Sequence, residues 1–120
     1  MTTPSVTAID SSEQVLARIR ELVPSIKRNA AEGERNRRVC DETIDALKDA
    51  GAFRVATPRR YGGLETSLRT MLEVSSLIAE ADGGTAWVVT LSNINAWSAG
   101  AQGGRAADEL FADGPDTIVA

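Results

Sequence analysis

The sequence predicts an all-α domain, and three observations carry that reading. Apolar residues recur at three- and four-residue steps through most of the chain, the spacing of a buried helix face. Capping residues and glycines divide these stretches into separate helices. Only the closing Thr117-Ile118-Val119-Ala120 is β-prone, and no upstream segment offers it a strand partner.

Residues 1–10, rich in Thr, Ser and Pro, read as a disordered leader ahead of a helical domain over 11–116. Ser11 and Gln14 stand at capping-box spacing. Val15, Ile19, Leu22, Val23, Ile26 and Ala30 then mark an amphipathic helix, which Pro24 is expected to kink or break near Leu22–Pro24. Asp41 is the expected N-cap of a short helix to Ala50, with Gly51 ending it. Phe53 and Val55 form an extended step into a Pro58–Gly63 loop, after which Thr66 or Ser67 caps the next helix. Asp82-Gly83-Gly84 stops that helix. Thr85 begins another, apolar nearly all round, the pattern of an element buried on most sides. A short helix over Arg105–Ala112 and a turn at Asp113–Asp116 lead to residues 117–120, the start of a strand.

Composition excludes several function classes. The 120 residues carry 13 basic and 17 acidic side chains, a formal charge of −4 that argues against nucleic acid or an anionic membrane as partner. Arg35, Arg37 and Arg38 cluster, but Glu32, Glu34, Asp41 and Glu42 flank them, which reads as a solvated helix face. Cys40 is the single cysteine, so no internal disulfide forms and a reducing, cytoplasmic setting fits; the residue reads as half-buried and structural. The N-terminus lacks the pattern of a signal peptide, and the longest apolar run, Ala86–Ala99, is interrupted by Thr90, Ser92, Asn93 and Asn95.

Residues able to carry chemistry are few. There is no histidine, the commonest acid–base group near neutral pH. The Gly62-Gly63, Gly83-Gly84 and Gly103-Gly104 doublets match no phosphate-cradling loop and read as hinges and helix stops. The segment Thr85–Ala99 stands apart. Trp87, Leu91, Ile94 and Ser98 share one helix face, with Val88, Ser92 and Asn95 towards a neighbouring one. Asn93 and Asn95 need hydrogen-bond partners in such an apolar helix, and either neighbouring backbone or a ligand can supply them. Trp87 and Trp97 are each compatible with a core position or a cofactor contact.

Taken in order, Leu47-Lys48-Asp49-Ala50-Gly51-Ala52-Phe53-Arg54, the Pro58-Arg59-Arg60-Tyr61-Gly62-Gly63 loop and Ala79-Glu80-Ala81-Asp82-Gly83-Gly84-Thr85-Ala86-Trp87-Val88 resemble the N-terminal helical domain of the acyl-CoA dehydrogenase fold. The Thr85-Ala86-Trp87 signature is most similar to the branch holding oxygenase components of two-component flavin-dependent monooxygenases. The closing Glu109–Ala120 looks like members of that branch that hydroxylate polyketide aromatics, where a similar turn enters a central β-domain. The resemblance therefore implies that the chain ends at the start of a missing β-domain.

It also implies an activity: hydroxylation of a small organic substrate, aromatic or polyketide-like, by molecular oxygen through a C4a-peroxyflavin. Reduced FMN or FAD would come from a separate reductase, and full-length relatives are commonly homotetramers. Trp87 then falls beside the flavin. Asn95 takes the place where phenol- and steroid-hydroxylating members have a substrate-facing histidine, with Ser92 and Asn93 on the same substrate side and no residue in a catalytic role. Asn95 is a departure from that pattern, because an amide cannot act as a base at neutral pH. A 120-residue piece would be inactive alone. The competing expectations are an acyl-CoA dehydrogenase or amino-sugar N-oxygenase on the same scaffold, and a non-catalytic helical interaction module.

Overall fold

In the computed structural model, which describes residues 11–119, the chain opens with a long helix α1 (Ser12–Asn36). The capping box forms as expected: Ser11 Oγ accepts from the Gln14 N–H at 3.3 Å, and Gln14 Oε1 accepts from the Ser11 N–H at 3.2 Å. The break expected at Pro24 does not occur. Pro24 and Arg20 are both exposed, so water can meet the Arg20 carbonyl that loses its helical donor. Ser25 Oγ donates to the Leu22 carbonyl at 2.9 Å in the same turn. Arg37, in the left-handed region at φ 56°, closes the helix, and the Arg38 N–H reaches the Gly33 carbonyl.

Helix α2 (Asp41–Asp49) is capped differently from expectation. Cys40, not Asp41, is the N-cap, and it makes no side-chain cap bond. Asp41 lies in the first turn, where its charge still favours the helix dipole, and pairs with Arg38. The stretch after α2 is also not extended. It is a run of tight turns in which Ala52, Arg54 and Thr57 donate backbone bonds to Leu47, Gly51 and Arg54. These turns press Phe53 and Val55 fully into the core, which explains their apolar alternation without a strand.

A one-turn 3-10 helix (Arg59–Tyr61) carries the chain round, and residues 63–66 return beside 54–58 through four backbone bonds. Gly63 is required there, since a Cβ on it would lie 2.1 Å from the Thr57 carbonyl oxygen.

Helix α3 (Leu68–Ala81) is capped by Ser67, whose hydroxyl accepts from the Thr70 N–H at 3.3 Å. Asp82 ends α3 and caps α4 (Gly83–Gln102), so α4 starts two residues before the expected Thr85. The reason is local: Asp82 Oδ2 accepts from both the Thr85 N–H, at 3.0 Å, and the Thr85 hydroxyl, at 2.6 Å. Helix α5 (Gly104–Leu110) is shorter than the expected Arg105–Ala112, as Phe111 leaves helical geometry.

Helix α1 packs on α3, α3 on α4, α2 on α1 and α5 on α4. The shared core joins Val15 and Ile19 of α1, Val74 and Ile78 of α3, Val89 of α4, and Phe53 from the turns. The architecture is all-α, with no strand among the described residues. The leader expected over residues 1–10, and Ala120, lie outside the described residues.

Candidate functional site

Helix α4 is apolar on every side but covered on only one. Thr85, Ala86, Val89, Ser92, Asn93 and Ala96 are buried against the rest of the domain. Trp87 (66 % exposed), Leu91 (38 %), Ile94 (46 %) and Trp97 (60 %) point outward. The expectation of a helix buried on most sides therefore fails, and with it a core position for either tryptophan. An exposed indole next to exposed Leu and Ile has no role in holding this core, which makes the outer face of α4 the candidate site.

The three polar residues of the segment part company. Asn93 is 1 % exposed and its Nδ2 donates to the Ala52 carbonyl at 3.0 Å. That bond fixes α4 to the turns after α2, and Asn93 Oδ1 is left buried with no hydrogen-bond partner. Ser92, 2 % exposed, accepts the Val119 N–H on its Oγ at 2.9 Å. Asn95 is half-buried on the flank of the helix, and its Nδ2 donates to the Val119 carbonyl at 3.1 Å. All three amide or hydroxyl groups that the sequence reading placed on the substrate side hold backbone here, and only Asn95 keeps partial exposure.

A shallow groove of about 310 Å³ runs between α3 and α4 beside Trp87, with Ser75, Ala79, Gly83 and Thr90 among its walls. Ser75 and Thr90 share a hydroxyl–hydroxyl bond of 2.5 Å across the two helices. A second recess of about 290 Å³ lies under Trp97, between Pro58, Arg60, Glu65 and Gly100. A larger cleft, about 480 Å³, is elsewhere: it opens between the end of α1, the start of α2 and the start of α4, and neither tryptophan lines it. It holds Cys40, whose thiol donates to the Asn29 carbonyl at 3.3 Å. Desolvation, then Glu32 and Glu42, push that thiol above its ordinary value, the opposite of the shift that activates a nucleophile. Tyr61, hydrogen-bonded to Asp108 at 2.5 Å, is likewise pushed up, first by that bond. No cluster able to hold a metal ion exists among the described residues, and no helix of theirs is long and apolar enough to cross a membrane.

Residues 10–107 match the family model described as acyl-CoA dehydrogenase, N-terminal domain. The chain belongs to that family. Among its relatives is the flavin-dependent monooxygenase, oxygenase subunit HsaA of Mycobacterium tuberculosis, 32% identical over 90% of this chain and 27% of that protein. The p-hydroxyphenylacetate 3-hydroxylase, oxygenase component, of Acinetobacter baumannii is 34% identical over 98% of this chain and 27% of its own length. The crystal structure of the HsaA monooxygenase from M. tuberculosis superposes with a TM-score of 0.84 at 32% identity, covering 88% of this chain and 28% of that one. The chain thus spans about a quarter of the length of these relatives. Within this acyl-CoA dehydrogenase-type domain, the sequence had singled out α4 but not its partner, the 117–119 segment.

Proposed function

We propose that this domain is the N-terminal part of the oxygenase component of a flavin-dependent monooxygenase that hydroxylates a small aromatic or polyketide-like substrate. The observation that carries the proposal is the outward face of α4, where Trp87 stands 66 % exposed in line with Leu91 and Ile94. A planar, weakly polar ring suits such a surface, because an indole can stack on it while the neighbouring aliphatic chains exclude water. Relatives with comparable identity carry names consistent with aromatic substrates, including an indole-3-acetate monooxygenase of Pseudomonas putida.

On this reading Trp87 forms one wall of the pocket for FMN or FAD, delivered reduced by a separate reductase. The bound flavin supplies the activation of molecular oxygen. The chain's own residues position and dehydrate. Leu91 and Ile94 keep the face dry, and Asn95 stands on the substrate side with Ser92 and Asn93 behind it. Because the flavin carries the difficult step, this domain can line the site without a histidine of its own. A homotetrameric, cytoplasmic enzyme with no nucleic-acid or membrane partner completes the proposal.

Equilibrium dialysis of dithionite-reduced FMN and FAD against the complete oxygenase polypeptide tests it. Trp87→Ala is expected to weaken retention of the preferred flavin at least about tenfold, the size of a lost aromatic stack in a dry site. Equal retention by the wild type and Trp87→Ala would remove the indole from the pocket. Turnover of acyl-CoA thioesters or amino sugars in place of aromatics would transfer the domain to another branch of the scaffold. A chain that binds no flavin in any context would be a helical interaction module.

A further inference from the structure

Both backbone groups of Val119 are met by side chains of one helix. Ser92 Oγ accepts its N–H at 2.9 Å, and Asn95 Nδ2 donates to its carbonyl at 3.1 Å. In extended chain the N–H and C=O of one residue point to the same side, which is the pair of groups a neighbouring strand would engage. Residues three apart on a helix lie one above the other at about 5–6 Å between Cβ atoms, a spacing that lets an acceptor and a donor reach those two groups together. The assignment of the Asn95 amide is chemically fixed, because a backbone carbonyl can only accept and so must face the nitrogen.

The run leading to Val119 is tied down as well. Thr57 Oγ1 donates to the Pro115 carbonyl at 2.9 Å, and Arg54 holds Asp116 through two bonds of 2.9 and 3.0 Å. These bonds bring the chain to α4 but do not fix its height along the helix; Ser92 and Asn95 do.

We infer that Ser92 and Asn95 are positioning residues, a two-point clamp that engages the Val119 backbone as a neighbouring strand would and sets the register of residues 117–119 against α4. The clamp gives a role to two of the polar residues of this largely apolar helix. It places the Val119 backbone on the flank of α4 next to the Trp87–Leu91–Ile94 face, so that this backbone borders the candidate site. The inference does not depend on flavin binding: the clamp stands or falls on the chain's own hydrogen bonds.

Residue-resolved amide hydrogen exchange on the 120-residue chain tests it. The Val119 amide is expected to be protected in the wild type. Ser92→Ala should speed its exchange by about tenfold, with the amides of Val74 and Val89 unchanged, while Ser92→Thr, which keeps the hydroxyl, restores protection. Asn95→Leu, similar in size but without a donor, should raise the exchange of Val119 by a smaller factor through loss of the second bond. A Val119 amide that exchanges as fast as free chain in the wild type would overturn the inference. So would Ser92→Ala leaving Val119 unchanged, or speeding core and terminal amides equally, since the residue would then support the whole domain and not the segment.

Discussion

The two faces of α4 are built from residues of similar hydropathy yet serve opposite ends. The inward face uses small and β-branched side chains, Thr85, Ala86, Val89 and Ala96, which let α4 approach its neighbours closely. The outward face carries the two tryptophans with Leu91 and Ile94, the largest apolar groups of the helix. Tight packing explains the first choice, because a domain with few aromatics must fill its core by close contact of small groups. No packing need of this domain explains the second. Bulk on the outside and economy on the inside is the reverse of a helix that exists only to fold.

Five substitutions sharpen that contrast. The largest effect is expected for Val89→Asp, which buries an unpaired carboxylate and should lower the unfolding free energy by about 4 kcal/mol, while Leu91→Asp on the outer face changes it by less than about 0.5 kcal/mol. Urea melts of the two proteins check the difference. If both substitutions cost alike, the outer face is part of the core after all.

Asn93→Ala should come next. It strips the Ala52 carbonyl of its donor and opens a small cavity, a loss of about 2 kcal/mol in the same melts. Gly100→Ala probes how closely α4 sits on the loop, as a Cβ there would lie 2.5 Å from Pro58 Cγ. The clash costs roughly 2 kcal/mol and helix propensity returns roughly 1, for a net loss of about 1 kcal/mol. Trp87→Ala closes the series. It should shift stability by less than about 0.5 kcal/mol, and its effect should be read in flavin retention instead.

Most helix positions were legible because each rule acts within one or two turns. Ser11 with Gln14, Ser67 before Leu68, and Asp82 before the glycines all mark true helix ends. Errors arose where a second local interaction competed. Pro24 does not end α1 because its turn faces water, Asp41 is drawn to Arg38, and the Phe53–Val55 step is bent by the bonds that Ala52 and Arg54 donate to the Leu47 and Gly51 carbonyls. The family could be read from motif order, and its match over residues 10–107 agrees with that reading. Within the candidate site, the importance of α4 was visible, but the partners of its polar groups were not. Ser92 and Asn95 reach a residue more than twenty positions away, and Asn93 reaches one 41 positions back.

The sequence by itself determined that this chain is helical, where α1 and α3 begin, which family it belongs to and which helix is unusual. Those properties follow from spacing, caps and residue type, all short-range quantities. Only the tertiary structure decided which side of α4 is covered, that both tryptophans lie outside the core, and that Val119 takes its backbone partners from Ser92 and Asn95. A helix apolar on every side carries no internal signal of its orientation. Its facing is set by neighbours that are distant in the chain, and their approach is governed by packing rather than by local pattern.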